Sequence, residues 1–170
     1  MTERCPLRRI ATAAGLGLVA GLLTGCAGDM QPSTGLPSLY LPLTTSSAAV
    51  DTTAARDMIS AYRKGRGEAP LTVDADLQRL AETEAAAMAV ADKPSQSRTV
   101  SAAIGRLGYA SPGANLSAGY HTLAEAFSGW RDSPPHNAVM LSADATRMGI
   151  ATAYAPGSKY KVYWALLVAK

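Results

Sequence analysis

The chain has 170 residues, 48% of them apolar and 17% charged, a composition that fits one globular domain with an ordinary core. Its formal net charge of +3 is weighted to the N-terminus: without Arg4, Arg8, Arg9 and Glu3, 13 basic and 12 acidic residues remain. Such a balanced remainder carries no basic footprint for a nucleic acid, and that class of partner is excluded.

The first segment, "LRRIATAAGLGLVAGLLTGCAGD", has the layout of a secretion signal. Arg8 and Arg9 form its positive end, and Ile10 to Leu23 form an apolar run too short to span a bilayer. It closes on Leu23-Thr24-Gly25-Cys26, which resembles the bacterial lipobox. That resemblance implies removal of residues 1–25 as a signal peptide and lipidation of Cys26, which anchors the protein to a membrane. Each buried methylene of such a lipid contributes about 0.8 kcal/mol. A plain signal peptide cut near Ala27, or an uncleaved anchor, is the alternative. Ala27 follows the cysteine where an aspartate is absent, and by likeness to sorted lipoproteins this points to the periplasmic face of the outer membrane. Cys5 would leave with the signal and Cys26 would carry lipid, so no pair remains for a disulfide. Stability must then come from a packed core, which about 120 residues can supply.

Residues 26–50 hold three prolines and many Ser and Thr, the composition of a flexible tether. Leu36, Leu39, Tyr40, Leu41 and Leu43 are more apolar than a linker needs, so part of it is expected to lie against the domain, which occupies 51–170. Ala55, Met58, Ile59 and Tyr62 recur at helical spacing in "DTTAARDMISAYRKGRG", closed by Gly65 or Gly67. A second helix follows an Asp74 cap, with Leu77, Leu80, Ala81, Glu84 and Met88 on one stripe. Val100, Ile104 and Leu107 mark a third, ended by Gly108. "GANLSAG" is short and glycine-bounded, a candidate strand. Thr122 and Glu125 form a capping box for a helix with the stripe Leu123, Phe127 and Trp130. After Ser133-Pro134-Pro135-His136, "TRMGIATAYAP" and "KYKVYWALLVAK" alternate as two strands of a hairpin turned at Pro156-Gly157-Ser158. Both faces of the last strand are apolar, so it is expected to be covered on both sides. Helices before, strands after and a two-sided strand imply an α+β fold: a three-layer α-β-α sandwich around a small antiparallel sheet.

The order of "GANLSAG", Trp130, Ser133-Pro134-x-His136, Arg147-Met148-Gly149-Ile150 and Tyr163-Trp164 resembles the CAP superfamily of cysteine-rich secretory, antigen 5 and pathogenesis-related proteins. The likeness spans about residues 52–170 and implies the same α-β-α sandwich. Family members gather two histidines and two acidic residues in a cleft that can hold a divalent cation. Here the Gly-Glu-Asn motif is Gly113-Ala114-Asn115, and "ADKPSQSRTVS" lacks the first histidine. The second acidic position falls near Ser133, and Val139 stands where many bacterial members have asparagine. Of the four, His136 alone remains. No metal site and no cofactor are therefore expected, since a zinc site needs three or four converging ligands.

The candidate binding cleft comprises His136, Asn115, Ser133 and Trp130. His136 is also the one candidate catalytic group, but Asp132, Ser133 and His136 lie within five residues, whereas a triad is normally drawn from separate segments. Ser133 is better explained as an N-cap with Pro134 at the first helical position. His136 is then expected as a neutral ring that donates one hydrogen bond and accepts another, clipping the turn to the "GANLSAG" strand. His121 is expected at the surface. Tyr109, Tyr120, Tyr154, Tyr160 and Tyr163 either line a groove or pack at the core's edge. These residues point to a non-enzymatic envelope lipoprotein that binds a lipid, cell-wall or protein ligand. A divergent hydrolase acting through His136 and a purely structural envelope protein are the alternatives.

Overall fold

In the computed structural model, which describes residues 36–170, Asp51 opens helix α1 (Thr52–Lys64) by accepting the Ala54 N–H on its carboxylate at 3.0 Å. That bond holds its carboxyl below the ordinary value and, as an N-cap, contributes about 1 kcal/mol. The signal segment, the lipobox with Cys26 and the first part of the tether lie outside the described residues. Asp74 caps α2 (Ala75–Ala91) in the same way, accepting from Asp76 and Leu77. The buried stripe of α2 is Leu77, Ala81, Ala85 and Met88, so the expected stripe is rotated, with Leu80 and Glu84 at its margin. Small alanines on the inner face let the helix lie close to the sheet. Helix α3 (Ser97–Arg106) buries Ile104, whereas Leu107, expected on its apolar stripe, lies past its end and is 62% exposed.

Four strands form one sheet in the order β1-β3-β4-β2. Strands β2 (Gly113–Ala118) and β3 (Arg147–Tyr154) flank β4 (Val162–Ala169), both antiparallel to it. The fourth, β1 (Thr72–Val73), is parallel to β3 and makes the sheet mixed rather than purely antiparallel. Two residues carry no period to read, and the strand is held by its ends: Thr72 N–H donates to Thr146 O and Asp74 N–H to Met148 O, each at 2.9 Å. One step further along β3, the Gln78 amide takes the place of a neighbouring strand, donating to Ile150 O at 2.9 Å and accepting its N–H at 3.0 Å.

All eight residues of β4 are buried, alternating between two cores as their apolar pattern implies. Val162, Trp164, Leu166 and Val168 face α1, α4 (Leu123–Asp132) and α5 (Pro134–Met140). Tyr163, Ala165, Leu167 and Ala169 face α2 and α3. The result is the expected α-β-α sandwich. Packing reaches upstream of residue 51: Leu43 and Val50 are in the first core, and Leu43 N–H donates to His121 O at 2.8 Å. Residues 36–50, assigned to the tether, therefore contribute to the folded unit, although Leu36, Tyr40 and Leu41 stay exposed.

The tightest approach of the two layers is at Gly149. A methyl group there would overlap the Leu77 carbonyl and the Gln78 nitrogen, both backbone atoms that cannot rotate away. Gly149→Ala should therefore lower unfolding free energy by about 3 kcal/mol, measured by urea denaturation. An unchanged midpoint would show that α2 yields freely.

Candidate functional site

The expected site residues come from β2, the end of α4 and the start of α5. Thr122 caps α4 by accepting the Glu125 N–H at 3.2 Å, and the Glu125 carboxylate reaches back to the His121 N–H at 2.7 Å. The box therefore closes one residue upstream of its usual place, and the His121 side chain is exposed. In the last turn of α4, Trp130 is wholly buried and donates its indole N–H to Ser117 Oγ at 3.0 Å. It meets Trp164 edge-on at 5.9 Å, and Trp164 donates to Tyr120 O at 2.8 Å. Gly129 leaves the room that the Tyr120 hydroxyl fills.

Asn115 is also wholly buried, and its Nδ2 donates to the His136 carbonyl at 2.9 Å. The turn is thus clipped to β2 as expected, but by the backbone of His136 and not by its ring, which corrects the sequence reading. The ring is partly buried and its Nδ1 has no hydrogen-bond partner. Burial pushes its pKa below the ordinary 6.5, in keeping with a neutral imidazole. Ser133 occupies the N-cap of α5 with Pro134 at the first position, yet its hydroxyl makes no capping bond. Its carbonyl does the work instead, accepting the Asn137 N–H at 2.8 Å. The structure brings all four residues into one region, but Trp130 and Asn115 show no surface that a ligand could touch.

These residues do not fit the family's divalent cation. Ala114 offers no ligand and is buried against the α2–α3 side of the sheet, and the α2–α3 connection, residues 92–96, has no histidine, its one carboxylate, Asp92, accepting from Tyr163 and Lys159. Among the described residues no three His, Cys, Asp or Glu side chains converge. Nor does the ring of His136 meet an orienting carboxylate at Nδ1, as a general base would need.

The residue that sequence reasoning missed is Arg63. It is wholly buried, and its guanidinium donates to four carbonyls: Ala69 at 2.6 Å, Met140 at 2.7 Å, Ser142 at 3.0 Å and Ala145 at 2.9 Å. Desolvation lowers its pKa, with Glu68 opposing. This clamp fixes the end of α5 against α1. Tyr62 fastens the middle of α5 by donating to Asn137 Oδ1 at 2.9 Å. The signal was legible: Arg63 follows Ala55 and Ile59 at steps of four, on the buried face.

A mixed sheet wrapped by three helices on one side and two on the other, with a buried tryptophan helix leading into a Ser-Pro-Pro-His turn, defines a distinct class of α-β-α domain. The model of the cysteine-rich secretory protein family (CAP) matches residues 56–168, and the chain belongs to that family. An outer surface protein from Borrelia burgdorferi shares the fold at TM-score 0.60 and 17% identity, over 72% of this chain and 97% of that one. An extracellular protein containing an SCP domain from Bacillus anthracis gives 0.56 and 19%, over 70% and 40%. A cysteine-rich secretory protein from Staphylococcus aureus gives 0.55 and 16%, over 69% and 37%. The chain thus spans well under half the length of the last two. A search of curated proteins found no match.

Two measurements test the site's energetics. Arg63→Met strands four carbonyls and should cost about 3 kcal/mol or more in chemical denaturation, with Arg63→Lys restoring only part. A neutral substitution would mean that water serves those carbonyls equally well. For His136 the folded pKa is the lower one, so the unfolded chain binds the proton first and stability falls as pH drops below about 6.5. The loss of Tm between about pH 8 and about pH 5 should shrink in His136→Gln. Equal losses in both proteins would contradict a buried neutral ring.

Proposed function

We propose that this chain is a cell-envelope CAP-domain lipoprotein, anchored through Cys26, whose domain binds a lipid, cell-wall or protein partner without catalysing a reaction. One observation carries the non-enzymatic reading: around the Ser-Pro-Pro-His turn Asn115 Nδ2, Trp130 and Tyr62 hold the fold, and the two atoms left without a partner, Asn115 Oδ1 and His136 Nδ1, are buried. Asn115 is committed to the His136 carbonyl, Trp130 to Ser117, and Tyr62 to Asn137. Acid–base catalysis requires a positioned proton acceptor within reach of its substrate, and His136 has no partner to position it at Nδ1. The lipobox-like Leu23-Thr24-Gly25-Cys26 supports the anchor, and Ala27 supports the periplasmic face of the outer membrane. The envelope location is also supported by the relatives described as outer surface and extracellular proteins.

Replacing Cys26 with Ser should move the protein from the membrane to the soluble fraction or block its maturation. Mass spectrometry of an N-terminus cleaved elsewhere, with an unmodified cysteine, would overturn the anchor. A crosslinking pull-down from intact envelopes should recover the partner with wild type and with His136→Ala alike. Turnover of an envelope substrate that His136→Ala abolishes would overturn the non-enzymatic reading.

A further inference from the structure

Away from the Ser-Pro-Pro-His turn, three adjoining cavities run along the seam between α2 and α3. The first, about 340 Å³, is bordered by Asp76, Arg79 and Tyr109. It shares Leu80, Thr83 and Leu107 with a middle chamber of about 200 Å³, which shares Glu84, Thr99 and Val100 with a third of about 430 Å³. Shared walls make them one groove, of the size that small-molecule sites occupy. Its middle is apolar: Leu80, Val100, Ala103, Ile104 and Leu107 form the sides, and Leu167 of β4 lies at the base. Leu107 is 62% exposed at the junction of two chambers, apolar surface that an occupant would cover.

The wall of the middle chamber holds one carboxylate. Glu84 borders the middle and third chambers, and its Oε1 is buried without a hydrogen-bond partner. An unpartnered buried oxygen is costly, and a carboxylate can only accept. Its complement is an N–H donor, best a positive one, because charge-assisted hydrogen bonds are about twice as strong as neutral ones. The flanking apolar walls require that the donor be carried on a hydrocarbon body.

We propose that the α2–α3 groove is a binding site for aliphatic amines. The alkyl body lies along Leu80, Val100, Ile104 and Leu107, and the ammonium pairs with the Glu84 carboxylate, which turns its buried oxygen toward the occupant. In the middle chamber the same carboxylate discriminates against a carboxylate head, which would meet a like charge; the cations of the groove, Arg79 and Lys93, line the outer chambers.

The test titrates the full chain with n-octylammonium, n-octanol and octanoate, following backbone amide NMR shifts. Octylammonium should move Leu80, Glu84, Val100 and Leu107, octanol should do so more weakly, and octanoate should not. Glu84→Gln keeps the shape of the side chain and should weaken octylammonium about tenfold or more, with octanol unchanged. Ala103→Phe fills the middle chamber and should abolish both, while the indole signals of Trp130 and Trp164 on the opposite side of the sheet confirm an intact fold. Octanoate binding as tightly as octylammonium, or Glu84→Gln binding octylammonium like wild type, overturns the proposal. So does the absence of shifts in the groove.

Discussion

Strand β4 is buried on both faces along its whole length, and the placement of every other element answers to that constraint. A strand with two apolar faces needs a layer on each side, and burying each large side chain contributes about 1.5–3 kcal/mol. Its two central aromatics also carry polar tips that need partners in opposite layers. Trp164 finds the Tyr120 carbonyl on one side. Tyr163 donates its hydroxyl to Asp92 on the other, where Asp92 ends α2 in a left-handed conformation at φ 50°. Desolvation and that carboxylate raise the Tyr163 pKa, so the phenol remains a donor at neutral pH. The strand thereby fixes where α2 stops and where the chain enters α4.

The second organising interaction is electrostatic and has an unusual composition. Arg63 is buried with no carboxylate in contact, its charge spread over four peptide carbonyls. An isolated buried cation is unfavourable, yet carbonyl dipoles converging from several segments supply the acceptors that water otherwise would. Because those carbonyls belong to the α1–β1 loop and to the α5–β3 connection from the end of α5 to the approach to β3, one side chain joins two connections. Asn115 performs the same service on the far side of α5. The Ser-Pro-Pro-His turn is thus suspended between a charged clamp and an amide clip.

Much of the fold was legible in the residues. The caps Asp74 and Thr122 mark helix starts by a local mechanism, and β4 announces its double burial by unbroken apolarity. Elements that depend on distant partners were not legible. β1 is two residues long and exists because β3 lies beside it. Val50 joins the first core with no local pattern to mark it, whereas the apolarity of its segment had marked Leu43. In the site, a link between the turn and the "GANLSAG" strand was anticipated, but neither Asn115 as its donor nor the backbone carbonyl as its acceptor, since composition does not distinguish a ring nitrogen from a carbonyl oxygen. Arg63 was passed over because charge outweighed its position on the buried stripe.

The Gln78 amide has a consequence for how copies of this molecule meet. Open sheet edges invite strands from neighbouring copies, and self-association through them is a recognised hazard. With β1 only two residues long, the outer margin of β3 would offer Ile150 as an unoccupied template. Gln78 occupies that template with a side chain drawn from the same molecule, reproducing a peptide's donor and acceptor without adding a strand. That stretch of the margin is filled at little expense in chain length, which removes a template on which a neighbouring copy's strand would pair.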